Sequence, residues 1–518
     1  MMIREKKKKR IKNYANRFSA ILSVALIVNL GLYWLPDTVF GLQIKKVDLL
    51  SDIRVLPEDD KDDVFAFFTD DDEEEYLSDD MSEEIATDTN PAAGLTDSII
   101  QPPVPVPPDY PATNAEPDSH DTGKTQNTPP KTSGDDDRNN TDYLSDTNIE
   151  DFSAGHIGLR RFFAALNNVN NLGRPVRIAF LGDSFIEGDI MVADFRAQMQ
   201  EHFGGRGVGF IPVTSNVAQY RPTIKQSADG WKTYSIIKNK NRKYVLSGLL
   251  FEPESDNAFI RFQTVDMYPG LEEVSSIKFI YSNNENTGLL LKSNMDTSYC
   301  ELPSTETVMQ YEINGKFSKG TMQFKDAAGL SAIGVAFEDN QGVVVDNFSL
   351  RGNSGIIMAE LDGKSCRELQ QIRPYDLLVL QYGLNVASDS VREYGWYRNH
   401  MVSVIEHIQD CFPGADILIL GVSDRSHKSG GSYTTMPAVL SLLRAQRQTA
   451  QRAEVTFWNI FAAMGGRNSM VKYVDSNWAS KDYTHLNFRG GREIAKSLFE
   501  AIITEKNKYD DDERLVEK

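Results

Sequence analysis

Three side chains, one far in the chain from the other two, have the types and settings that nucleophilic catalysis needs. An apolar run, Val176-Arg177-Ile178-Ala179-Phe180-Leu181, stops at Gly182-Asp183-Ser184, and a helix-patterned stretch follows. A strand that delivers a serine onto a tight glycine turn ahead of a helix exposes the hydroxyl at the carboxyl end of a sheet. That hydroxyl is a weak nucleophile at neutral pH. It needs an imidazole to take its proton and a carboxylate to fix the imidazole's tautomer. Asp482-Tyr483-Thr484-His485 carries both on one loop, just before a helix-patterned C-terminal stretch. Each motif also has an ordinary reading. Gly-Asp-Ser makes plain turns, and Asp482 could cap the final helix.

An attacking serine creates an oxyanion, and donors must already point at it. Asp376-Leu377-Leu378-Val379-Leu380-Gln381-Tyr382 reads as a buried parallel strand ending in Gly383-Leu384-Asn385, an amide on a flexible turn. Gly352-Asn353-Ser354-Gly355 is another glycine-rich turn, whose second glycine could offer a backbone N–H. The alternative is that both are plain strand-to-helix turns.

Taken in chain order, Ser184, Gly355, Asn385 and His485 resemble the four blocks of the SGNH (GDSL) family of serine esterases and acyltransferases. The resemblance covers residues 174 to 215 and 350 to 505. It implies a triad of Ser184, Asp482 and His485, an oxyanion hole from Ser184, Gly355 and Asn385, and neither cofactor nor metal. It also implies an α/β fold, a doubly wound parallel sheet in a flavodoxin-like three-layer arrangement. Two positions depart from the family pattern: Val386 stands where an acid usually follows the asparagine, and Phe185 follows the nucleophile.

The elements that must position these groups alternate as the fold requires: strands near 176, 377, 417 and 455, with helices over 190–202, 391–411, 436–452 and the C-terminus. Ser390-x-x-Glu393 reads as a capping box for the second of these helices. Between the first helix and the glycine block, residues 213–350 lose the helical period and show short alternating strands, the pattern of an inserted jelly-roll-like β-sandwich. Trp231, Tyr234 and Tyr268 would stack on sugar rings if exposed, or fill the sandwich core. The hydrolase domain is thus expected over 151–212 and 351–507, with a charged tail over 508–518. A sandwich inserted after the nucleophile block, with Gly205-Arg206-Gly207-Val208-Gly209-Phe210-Ile211-Pro212 and Ala462-Ala463-Met464-Gly465-Gly466-Arg467-Asn468-Ser469-Met470, is similar to one branch of the family. That branch holds peptidoglycan O-acetylesterases and periplasmic O-acetyltransferases. It implies acetyl esters on an envelope glycan as substrate. Transfer of acetyl with a membrane-bound acyltransferase partner is the alternative, and a glycan-binding scaffold is a second.

The remaining chain says where such chemistry would happen. Residues 1–17 carry eight Lys or Arg against Glu5 alone, and Phe18–Leu35 has no charge. Eighteen helical residues span about 27 Å, close to a bilayer's hydrocarbon core. The pattern predicts a transmembrane helix over 18–36 with a cytoplasmic basic end. A bacterial inner-membrane protein with an extracytoplasmic, periplasmic catalytic part follows; a cleaved signal peptide is the competing reading. Residues 58–150 hold 27 Asp or Glu and four Lys or Arg, with the run Pro102-Pro103-Val104-Pro105-Val106-Pro107-Pro108. Such a segment cannot bury a core, so 37–150 is expected to be a disordered acidic linker. The formal charge of −19 is then a property of the linker. The near-neutral remainder lacks the basic footprint of a nucleic-acid binder. Asp70-Asp71-Asp72-Glu73-Glu74-Glu75 lacks the spacing and turn glycine of a calcium loop. Three widely spaced cysteines imply no disulfide framework, and Cys366 and Cys411 are expected in the core.

Overall fold

The unbroken apolar runs become strands buried on both faces. Val176–Gly182, Val343–Ser349, Leu377–Gln381, Asp416–Gly421 and Thr456–Asn459 form a parallel sheet, and Glu150–Asp151 joins its far edge antiparallel. The computed structural model describes residues 38–39, 42–43, 142–255, 257–294 and 296–516. The expected basic segment, transmembrane helix and nearly all of the acidic linker lie outside these residues. Among the described residues no helix is long and apolar enough to cross a membrane. The short pairing of Thr38–Val39 with Leu42–Gln43 belongs to a separate unit.

Across the sheet the strand beginning at 343 comes first, then those at 176, 377, 416 and 456, so the chain's second strand flanks its first on the outside. In this order the connections diverge to opposite faces between the first and third strands, leaving a crevice at their carboxyl ends. Alternate residues feed two apolar layers. Ile178, Phe180, Val379 and Leu418 pack under helices Arg160–Asn167, Val192–Phe203 and Phe488–Val516. Ala179, Leu181, Leu380 and Ile419 pack under Gly363–Ile372, Gly395–Cys411 and Pro437–Ala453. This two-sided burial is why the strands read as continuous rather than alternating apolar runs.

Several expected boundaries move. The folded unit begins by residue 142, not 151: Asn459 Nδ2 donates to the Tyr143 carbonyl, and Arg447 pairs with Glu150 at 2.6 Å. The sandwich runs from 209 to 338 rather than 213 to 350. Gly209–Ile211 pairs with Ser331–Glu338 of the sandwich, whereas Val343–Ser349 is a strand of the catalytic sheet. The helix expected from 391 starts at Gly395, because the Ser390 hydroxyl bonds Ser388 in a turn instead of capping. The final helix continues to Val516.

The insertion is two antiparallel sheets enclosing a core of Ile260, Phe262, Phe279, Leu291, Phe324 and Phe337. Trp231 and Tyr268 are buried, so they serve packing, and the Tyr234 ring carries the Arg242 guanidinium 3.4 Å above it. Cys366 and Cys411 are buried and, with Cys300, free.

Where the sandwich meets the sheet, five ionisable side chains are buried together. Glu338 pairs with Arg177 at 2.6 Å, Lys278 at 2.8 Å and Arg373 at 2.6 Å, and Arg373 also pairs with Asp346 at 2.8 Å. Burial alone would raise the Glu338 pKa, but the three cations hold it well below the usual carboxylate range. Such a network holds only while each charge has its partners. Glu338→Ala leaves three buried cations sharing one remaining acid, so we expect a loss of about 3–5 kcal/mol in denaturant unfolding. A loss below about 1 kcal/mol, the worth of a surface pair, would show the junction to be hydrated.

Candidate active site

The two turns at the mouth of the crevice carry the chemistry. Strand Val176–Gly182 ends in Asp183-Ser184, and its neighbour Leu377–Gln381 leads into Leu384-Asn385. Gly182 must be glycine, since a Cβ there would lie 2.7 Å from the Ile186 side chain and 2.9 Å from the Gln381 carbonyl. That close approach bends the chain so that Ser184 rises above the sheet edge.

His485 reaches the serine from the opposite wall. Its Nε2 lies 3.2 Å from Ser184 Oγ, and its Nδ1 lies 2.6 Å from Asp482 Oδ2. The second Asp482 oxygen accepts the Thr484 and His485 backbone N–H groups at 2.9 and 3.1 Å. The loop is thus wound around its own acid. Helix capping falls to Asn487, whose side-chain oxygen accepts from Arg489 and Gly490 N–H. Burial would raise the Asp482 pKa, but the His485 hydrogen bond and charge and the two backbone donors outweigh it and hold the carboxyl low. Asp482 therefore stays ionised and fixes His485 with its proton on Nδ1, leaving Nε2 free to accept from serine.

The same Asp-x-x-His spacing occurs at Asp424 and His427, and there the two side chains part. Asp424 accepts the Met470 N–H at 2.9 Å, whereas His427 Nδ1 meets Asp389 Oδ1 at 2.8 Å. Residues Ser426–Ser429 and Ser432–Thr435 form a hairpin that braces the catalytic loop. The Ser426 N–H donates to the Tyr483 carbonyl, and the Tyr433 ring stacks on Tyr483 at 3.6 Å. Nothing in the local sequence signals this brace, because it is a contact between segments 50 residues apart.

Ser184, Asn385, Asp482 and His485 line one cleft of about 270 Å³, with Asp183, Phe185, Leu384, Thr484 and Arg425. Gly355 does not line it. At rest its N–H donates to Asn353 Oδ1 at 2.8 Å, and Asn385 Nδ2 donates to the Asn353 carbonyl at 3.1 Å and Asp183 Oδ2 at 2.9 Å. Asn353, buried, thus occupies one donor of Gly355 and one of Asn385 with neutral acceptors. An oxyanion is a stronger acceptor and can displace it. The Ser184 N–H has no acceptor among the described residues and is open from the start. Phe185 is core-packed and Val386 rests against the other apolar layer, so both departures from the family pattern serve packing. Arg425, which sequence reading missed, makes no ion pair among the described residues and leaves a cation in the cleft wall. Those residues include no cluster of His, Cys, Asp or Glu that could hold a metal.

Two predictions follow from this geometry. Ser184→Ala should abolish turnover of small acetyl esters with folding intact, Asp482→Asn should cripple it, and Asn385→Ala should cost about 100-fold to 1000-fold in kcat. If Asn385→Ala moved only KM, the amide would be a substrate contact and not an oxyanion donor. The other concerns Asp183, whose carboxyl burial pushes up to about 7. A raised acid favours the folded state below its unfolded pKa, near 4, and loses that contribution as pH rises through about 7. Asp183→Asn cannot ionise, so its Tm should gain on wild type between about pH 5 and about pH 8. A Tm difference independent of pH would mean that Asp183 titrates normally.

Neither the family models nor the curated proteins contain a match to this chain. Among solved structures, a peptidoglycan O-acetylesterase superposes at a TM-score of 0.58 and 19% identity, covering 70% of this chain and 99% of that one. A family two carbohydrate esterase from Cellvibrio japonicus is far more distant, with a TM-score of 0.24 and 10% identity over 55% of this chain and 98% of its own. The first likeness establishes the fold. On that shared fold, the order of the blocks and the hydrogen-bonded Ser184–His485–Asp482 chain form the relay that a nucleophilic serine requires.

Proposed function

We propose that this protein is a membrane-anchored, extracytoplasmic serine esterase that removes O-acetyl groups from an envelope glycan of the peptidoglycan kind. The observation that carries the reading is the aligned chain Ser184 Oγ, His485 Nε2, His485 Nδ1, Asp482 Oδ2, open to a small cleft. The solved structure that shares its fold at a TM-score of 0.58 is a peptidoglycan O-acetylesterase, which supports the choice of ester and polymer.

In this reading Ser184 Oγ attacks the acetyl carbon while His485 Nε2 takes its proton. The oxyanion is held by the Ser184 N–H and by an Asn385 N–H released from Asn353. Collapse breaks the bond to the sugar oxygen, which leaves with the proton from His485. Water then gives a proton to His485 and attacks the acetyl-serine, and acetate departs as Ser184 Oγ regains a proton. Phe185 and Leu384 narrow the cleft beside the serine, which suits a short acyl chain. A sugar hydroxyl in place of water would make the same site an O-acetyltransferase, with a membrane-bound acyltransferase supplying acyl groups. The charge-free run 18–35 behind eight basic residues supports anchoring, and the acidic segment 58–150 supports a spacer between membrane and polymer.

One experiment separates these elements. Washed membranes carrying the full-length protein should release acetate from O-acetylated peptidoglycan, and membranes carrying Ser184→Ala should not. Activity confined to the soluble fraction would overturn the anchor. Acetate release from neither fraction, with small esters still cleaved, would overturn the substrate.

A further inference from the structure

A groove of about 440 Å³, larger than the catalytic cleft, lies on the outer face of the sandwich's five-stranded sheet. Its chemistry follows from strand alternation. Phe262, Met322 and Leu291 point into the sandwich core, so their neighbours Arg261, Thr321 and Lys292 point out. Register aligns Ser227, Arg261, Thr321, Lys292 and Thr297 in one row across the sheet. The next row outward-facing on one side holds Lys225, Gln263 and Lys319. The row on the other side holds Asp229, Phe259, Gln323, Leu290 and Tyr299, so one acid borders the cationic rows at the edge strand.

Within each cationic row the two charges sit two strands apart, about 10 Å, and the rows are about 7 Å apart. Among the described residues Lys225, Arg261, Lys292 and Lys319 form no ion pair, Arg261 lies 5.2 Å over the Phe259 ring, and Asp296 is the acid that lines the groove. Four unpaired cations on a face otherwise lined by Ser, Thr, Gln and Asn side chains repel one another unless an anion is bound. In the third row Tyr299 is 60% exposed, and its ring rests where any Gly288 side chain would be, with a ring carbon 2.9 Å and the hydroxyl 2.5 Å from a Cβ at that position. A flat exposed aromatic edge beside hydroxyls and amides is a surface for stacking a sugar ring, and the cations beside it select its charge. A second, separate observation has the same sign: Arg425 leaves an unpaired cation in the wall of the catalytic cleft.

We propose that this groove is a second polymer-binding site, selective for an acidic polysaccharide that carries carboxylates along its length. The sandwich would grip that chain while Ser184 acts on an ester of it. The choice of polymer class rests on the esterase reading above; the anion selectivity does not. A nucleic acid fits less well, since four cations are a small footprint beside the dense phosphate charge of such a polymer.

The test is affinity electrophoresis of the full-length protein, held in a non-ionic detergent, through gels containing polygalacturonate or neutral dextran. Wild type should be retarded by polygalacturonate alone, with retardation weakening as salt is raised. Arg261→Glu with Lys292→Glu should weaken binding about tenfold or more, the loss expected from removing and reversing two cations. Turnover of p-nitrophenyl acetate should stay unchanged in that double variant. Equal retardation in both gels, none in either, or retardation indifferent to the double variant would overturn the proposal. So would retardation that appears only when residues 58–140 are deleted, since the groove would then belong to the chain's own acidic segment. Loss of p-nitrophenyl acetate turnover in wild type would sink the esterase reading and leave the binding result standing.

Discussion

One buried carboxylate, Asp189, holds the nucleophile's surroundings in place. Five residues beyond Ser184, it accepts hydrogen bonds from Arg196 of the following helix, Arg221 and Thr223 of the sandwich entry, and Asn347 of the neighbouring strand. Burial would raise its pKa, but the two guanidinium groups outweigh that and keep it ionised. A charge so deeply buried persists only with all partners present, so the turn carrying Ser184 is fixed from three directions. Asp189 and Met191 both adopt positive φ, at 72° and 66°, a strain that surrounding structure must impose. The C-terminal helix contributes here too, because Gly491 lies where a Cβ would come within 2.6 Å of the Met191 nitrogen.

The Glu338 network does for the insertion what Asp189 does for the turn. It joins a sandwich strand to three elements of the catalytic half, through Arg177, Asp346 and Arg373. The bonds are numerous, short and dehydrated, which resists relative motion of the two halves. The sandwich groove and the Ser184 cleft are then held at constant separation, as the proposed grip on a polymer at two points would require.

Within the cleft, resting hydrogen bonds are arranged to be exchanged. Asn353 satisfies one donor from Gly355 and one from Asn385 until a stronger acceptor forms, which avoids leaving the buried Gly355 N–H unpaired. Asp183 retains the other Asn385 donor, so the amide stays oriented while one hydrogen is released. The Ser426–Thr435 hairpin steadies His485 indirectly, by holding Tyr483.

What the sequence alone determined were features with local causes. Ser184 at the end of an apolar run, Asn385 at the end of another, and Asp482 three residues before His485 follow from strand period, turn chemistry and the needs of a weak nucleophile, and the structure brings all four together. The parallel sheet and the inserted sandwich were legible for the same reason, since side-chain period reports which faces are buried. Contacts between distant segments left no such mark. Asp424 and His427 share the spacing of the catalytic pair and diverge only because Met470 and Asp389 lie where they do. Val343–Ser349 reads as one more strand of the insertion, and only pairing with Val176–Gly182 assigns it to the catalytic sheet. Gly355 carries a donor whose engagement by Asn353 depends on the fold of the turn. The four cations of the sandwich groove come from four strands, and only register brings them onto one face, because antiparallel pairing, not order along the chain, decides which side chains are neighbours.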